Sequence, residues 1–109
     1  MPATSPAGAE RLLGLIGLGY RGRRLVIGVD AVRRELQSGR CWCVVVAEDA
    51  SPRAVEKVVR LAAAKSVPIV PGPCAAAIGA QVGKPPVMAV GVRDRALADG
   101  MLPTGPVRS

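Results

Sequence analysis

Histidine and phenylalanine are missing from this chain altogether, and tryptophan and tyrosine occur once each, as Trp42 and Tyr20. Without imidazoles, the three cysteines Cys41, Cys43 and Cys74 cannot complete the usual four-ligand zinc site, and their odd number argues against a disulfide framework. They read as packing residues in a reducing cytosol. Cys41-x-Cys43 has the spacing of a redox pair, but strand alternation would put both side chains on one face, where ordinary burial is the expectation. A core with so few rings has to be made of Val, Leu, Ile and Ala, which suits slim helices lying close on a sheet. The charge-free stretch 67–83 is interrupted by Pro68, Pro71 and Pro73 and is too short for a membrane span. The opening segment MPATSPAGAE lacks the basic-then-apolar order of a signal peptide. A cytoplasmic protein with no metal and no cofactor is expected.

Acidic residues are scarce too: eight, against fifteen basic ones, give a formal charge of +7 and a pI near 10.4. Such an excess attracts polyanions and speeds encounter with them, so nucleic acid is the leading partner, with an unspecific solvated basic surface as the alternative. The 109 residues, half of them apolar, suffice for one core and not for two. Pro, Ala, Ser and Gly without periodicity mark 1–9 as a tail, and LPTGPVRS marks another at 102–109, which leaves a domain over 10–101.

Within that domain helical spacing alternates with short β-rich runs, the pattern of a layered α/β fold. CWCVVVAED (41–49) is the clearest strand, a run buried on both faces and stopped by two acids. A helix follows: Ser51 stands at the N-cap, Pro52 at the first helical position, and Val55, Val58, Val59 and Ala62 recur on one side. LVIG, VPIVPG and PVMAVGV are further strands, and VDAVRRELQSG, CAAAIGAQVG and RDRALADGM further helices, the first of them closed by Gly39.

The segment LLGLIGLGYRG is ambiguous. Gly17, Gly19 and Gly22 reproduce the G-x-G-x-x-G dinucleotide fingerprint, which would make the chain a small nucleotide-binding enzyme. That fingerprint needs a helix directly after it, and here a strand-like run follows. The alternative is a helix over 10–20 whose glycines permit close packing. Glu48 and Asp49 could form a catalytic pair, but neighbours on a strand end point apart, and Asp49 is well placed to cap the helix after it. Trp42 without aromatic neighbours makes no stacking platform and should be partly buried. Arg53, Lys57 and Arg60 read as a solvated helix face.

Taken together, LIGLGYRGRRLVIGVDAVRRELQSG, CVVVAEDASP, VPIV and IGAQVGKPPVMAV resemble the L7Ae family of ribosomal proteins and its small bacterial relatives, over roughly 10–100. The resemblance implies a three-layer α/β/α sandwich with a small mixed four-stranded sheet, and a helix for the glycine-rich first segment. It also implies binding to kink-turn RNA through a helix mouth of pattern G-x-N-E-x-x-K, where Gly28, Val29, Asp30, Ala31 and Arg34 stand here. Elementary chemistry agrees: a glycine lets a phosphodiester chain approach, amides at a helix start receive an anion, and Arg34 can clasp phosphate or a guanine edge. Arg23, Arg24 and Arg33 would extend the positive patch. Val82, Gly83 and Lys84 open the apolar loop, near 82–87, that in relatives packs on an extruded nucleotide. Asp30 in place of an amide and Ala31 in place of a carboxylate remove two base-reading contacts, so RNA binding should persist with weakened kink-turn specificity. Asp30 could instead merely cap its helix and pair with Arg34. The expected partner is thus structured RNA, a kink-turn or rRNA, with the ribosome beyond it; no membrane, no small-molecule substrate and a monomer are expected. A protein-interaction scaffold of the ribosome or transcription machinery is a further alternative.

Overall fold

Five helices and four strands alternate along residues 6–102, the part of the chain described by the computed structural model: α1 (Pro6–Arg21), β1 (Leu25–Ile27), α2 (Val29–Ser38), β2 (Cys43–Val46), α3 (Pro52–Ala64), β3 (Ile69–Pro71), α4 (Ala75–Gln81), β4 (Ala89–Val92) and α5 (Arg95–Met101). The glycine-rich first segment is helical, and it starts at Pro6, inside the stretch expected to be a tail. The rest of the two expected tails, 1–5 and 103–109, lies outside the described residues. No described helix is long and apolar enough to cross a membrane.

Local chemistry sets most of the helix ends. Gly39 closes α2 in the left-handed conformation at φ 77°, donating its N–H to the Leu36 carbonyl. Ser51 and Pro52 take the N-cap and first-turn positions of α3, although the Ser51 hydroxyl makes no capping bond. Asp94 caps α5, accepting the Leu97 N–H at 2.9 Å.

The strands form one mixed sheet in the order β1-β4-β2-β3, with β2 and β3 parallel and β4 antiparallel to both of its neighbours. All four residues of the central β4 are buried. Successive residues serve opposite layers. Cys43, Val45, Val90 and Val92 face Leu12 and Ile16 of α1, Ile78 of α4 and Leu97 of α5. Val44 and Ala89 face Val32 and Leu36 of α2 and Val58 and Ala62 of α3. Side chains of this size contribute about 1.5–3 kcal/mol each when fully buried, and small partners bring the layers close. Gly91 is an instance, since a Cβ there would press on Val26 at 2.9 Å and reach Val32 at 3.4 Å. The expected three-layer α/β/α arrangement is therefore present.

Two details differ from the sequence reading. The strand expected over 41–49 is ordered as ladder only from Cys43 to Val46. Consequently Cys41 and Cys43 do not share a face: Cys41 is buried with α2 and α3, Cys43 with α1, α4 and α5. Alternation holds only within the ladder, and Cys41 precedes it, its thiol turned back to donate to the Cys43 carbonyl at 3.2 Å.

Candidate nucleic-acid interface

The antiparallel pairing of β1 with β4 gives the sheet two distinct ends. At one, β1 ends in Gly28, whose N–H donates to the Ala89 carbonyl at 2.9 Å and so ties the mouth of α2 to the start of β4. The C-terminal ends of β2 and β3 lie at this end too, since Val46 pairs with both Ala89 and Pro71. Gly28 has φ 97° and ψ 155°, a conformation essentially reserved for glycine, and a Cβ there would meet nothing within 4 Å. Glycine is thus required by the backbone, and the space in front of it is open. No side chain caps α2, so its leading amides have no side-chain partner.

Asp30 is 85% exposed and sits 4.0 Å from the Arg33 guanidinium, so the pairing expected with Arg34 falls to Arg33 instead. Arg34 is exposed. Arg33 also lines a shallow groove of about 350 Å³ between α2 and α3, with Gln37, Lys57, Arg60 and Leu61, which makes Lys57 and Arg60 part of a groove rather than of a featureless face. Val29 packs partly against the α2–α3 core, and Ala31 is half-buried.

The second expected segment is divided. Val82 is a core residue, 5% exposed, and is not available to pack on a ligand. Gly83, at φ 67°, and Lys84 are exposed, as are Pro85 and Pro86, which the sequence reading did not single out although a proline doublet before a strand marks a stiff exposed loop. Their path is fixed by close contact: the Lys84 N–H bonds the Gly79 carbonyl at 2.8 Å, and a Cβ on Gly79 would run into the Pro85 carbonyl. The Val87 N–H then reaches the Ala75 carbonyl at 3.0 Å and delivers the chain to Ala89, beside Gly28.

Arg23 and Arg24 are not part of this notch. They precede β1, whose three residues place even Arg24 about 13 Å from Gly28 along the strand. Arg23 occupies a left-handed backbone position at φ 58° just after α1. Arg24 forms an ion pair with Asp94. The N–H of Leu97 first, and then the Arg24 guanidinium, hold the Asp94 carboxyl below its usual pKa of 3.8.

The remaining candidates have structural explanations. Asp49 accepts the Ala75 N–H at 2.8 Å and so supports the start of α4, not of α3 as expected, while Glu48 beside it is exposed. Burial pushes the Cys43 thiol up to about 12 and raises that of Cys41, so both are neutral packing groups at ordinary pH. Gly17 and Gly19 lie inside α1, where a Cβ would strike Gln81 of α4 or Leu97 of α5. A helix comes before Gly22 and a strand after it, the reverse of the dinucleotide-binding order.

Comparison with known proteins gives a consistent picture. The family model described as "Ribosomal protein L7Ae/L30e/S12e/Gadd45 family" matches residues 11–100. The chain is 32% identical over 88 residues to the RNA-binding protein YlxQ of Bacillus subtilis (strain 168), covering 81% of this chain and 88% of that protein. Among solved structures, a protein of unknown function from Bacillus halodurans superimposes with a TM-score of 0.75 at 26% identity, covering 84% of this chain and 96% of the other. The 15.5kD RNA binding protein of Giardia lamblia superimposes with a TM-score of 0.79 at 21% identity, covering 93% and 87%, and shares the fold. With a matching model along nearly all of the described residues, the chain belongs to the L7Ae/L30e/S12e/Gadd45 family of ribosomal protein relatives.

Proposed function

We propose that this chain is a cytoplasmic, ribosome-associated RNA-binding protein whose work is binding and not catalysis. The observation that carries this reading is the uncapped mouth of α2, opened by a positive-φ glycine and followed by Arg33 and Arg34. Amides at a helix start present partial positive charge, a glycine leaves room for a ribose-phosphate chain, and guanidinium groups clasp phosphate in a fork. The similarity to YlxQ, a protein named for RNA binding, supports the same reading.

Structured RNA is the class of ligand, a kink-turn or rRNA element, with Gly28, Val29, Asp30, Ala31, Arg33 and Arg34 at the mouth and Gly83 and Lys84 in the neighbouring loop. Asp30 and Ala31 offer neither an amide nor a second carboxylate to base edges. Phosphate contacts therefore dominate, and discrimination among folded RNAs is weak. In a gel-shift titration with a kink-turn RNA, Arg33→Ala combined with Arg34→Ala is expected to weaken binding more than tenfold. Unchanged affinity of that double variant would remove the α2 mouth as the site.

A further inference from the structure

The other end of the sheet gathers what the α2 mouth lacks. Three junctions meet around the end of β4: α1 to β1, α2 to β2, and β4 to α5, because Leu25 and Cys43 both pair with Val92; the α3 to β3 junction lies one strand further out. The first three carry Arg21, Arg23, Arg24, Arg40, Arg93 and Arg95, six of the fifteen basic residues of the chain. Two of these are engaged, Arg24 with Asp94 and Arg93 with Glu35 at 3.2 Å. Arg21, Arg23 and Arg40 are exposed and form no ion pair among the described residues. By contrast, the end that holds Gly28 carries the carboxylates Asp30, Glu48 and Asp49.

Both aromatic residues of the protein also lie at the arginine-rich end, and both are exposed: Trp42 by 49% and Tyr20 by 36%. Trp42 enters β2 with its N–H on the Val92 carbonyl, and Tyr20 closes α1 just before β1, so the two flank the end of β4 from opposite sides. The Arg95 guanidinium lies 5.6 Å from the centre of the Trp42 ring. Tyr20 lines an open hollow of about 420 Å³ with Arg21, Arg23, Leu25 and Arg93, and Arg21 continues into a second hollow beside Leu18 and Arg24. Neither of the chain's two aromatic residues is spent on its core, and Trp42, read from sequence as no stacking platform for want of aromatic neighbours, shares its end of the sheet with Tyr20.

We infer that this end of the sheet is a second RNA-binding surface, separate from the α2 mouth, that takes a single-stranded segment by stacking bases on Trp42 and Tyr20 while the unpaired arginines hold its phosphates. Aromatic faces with interleaved guanidinium groups suit unpaired bases, which present a π-face, whereas a duplex keeps its bases turned inward. The Arg95 guanidinium already lies over the Trp42 ring, and a base stacked there releases Arg95 toward a phosphate.

Trp42 is the sole tryptophan and reports on its own site. Titration of the whole protein with a short oligouridylate at low salt is expected to quench its fluorescence saturably. Followed by anisotropy of a labelled oligomer, the triple variant Arg21→Gln, Arg40→Gln, Arg95→Gln should bind at least tenfold more weakly, and Trp42→Leu several-fold more weakly. All four positions are exposed, and circular dichroism would verify that each variant is folded. The mouth variant Arg33→Ala, Arg34→Ala should bind the oligomer like the parent, whatever it does to structured RNA, which keeps the two sites separately testable. Absence of quenching, parental affinity in the triple variant or in Trp42→Leu, loss of oligomer binding in the mouth variant, or equal competition by a blunt duplex would each overturn the proposal.

Discussion

Glycine residues at two positions of one chain should respond to the same substitution in opposite ways. At Gly28, φ 97° strains any L residue even though the space around it is open, so Gly28→Ala is expected to cost on the order of 1–3 kcal/mol. Gly14 lies within α1 with nothing within 4 Å of its would-be Cβ, so Gly14→Ala is expected to stabilise by about 0.5–1 kcal/mol. Each kcal/mol moves the Tm of a domain this size by about 4–8 °C, so calorimetry should place the two variants on opposite sides of the parent. Equal shifts would mean that the conformation at residue 28 is not maintained in solution. From the sequence, Gly28 read as room for a phosphodiester chain, and only its φ of 97° shows that the backbone also demands glycine there. The alliance expected of Arg23 and Arg24 with it is absent. Neighbours in sequence were read as neighbours in space, and three extended residues are enough to carry a side chain to the far end of a thin sheet.

Helices and strands were recovered well wherever periodicity spoke for them, as in α3 with its Pro52 start and its buried Val55, Val58 and Ala62, although Val59, expected on the same side, is 41% exposed. Their ends were harder, because capping partners can be remote. Asp49 supports α4 across 26 residues, a relation that no local pattern announces. Asp94 was recoverable in principle, since it stands three residues before Leu97. It makes a testable contribution. Its carboxyl is held below 3.8 in the folded chain by the Leu97 N–H and by Arg24, so the stabilisation is complete above the ordinary carboxylate range and is lost as pH falls through the depressed folded value. Asp94→Asn keeps an oxygen for the Leu97 N–H but carries no charge to titrate. Denaturant unfolding from pH 5 downward should show the parent losing stability more steeply below about pH 4 than Asp94→Asn. Parallel curves would mean that another group controls the acid limb.

At the scale of the whole molecule, the positive charge is distributed unevenly, and salt dependence measures where it is used. If RNA phosphates are neutralised by the three cations at the α2 mouth and its loop, Arg33, Arg34 and Lys84, log affinity should fall against log salt with a slope of roughly −2 to −3. The Arg33→Ala, Arg34→Ala variant should flatten that slope by roughly one to two, and an unchanged slope would place the phosphates elsewhere. Composition announced a polyanion partner through the net charge of +7, but could not say which face meets it, because the sheet order β1-β4-β2-β3 brings together junctions distant in the chain. That order has one more outcome. The outer strands β1 and β3 are three residues long, and β3 ends in Pro71, which has no N–H to give. A stray chain seeking to dock edge-on finds too little backbone on either border, so concentrated preparations of this basic protein should resist growth into cross-β fibrils.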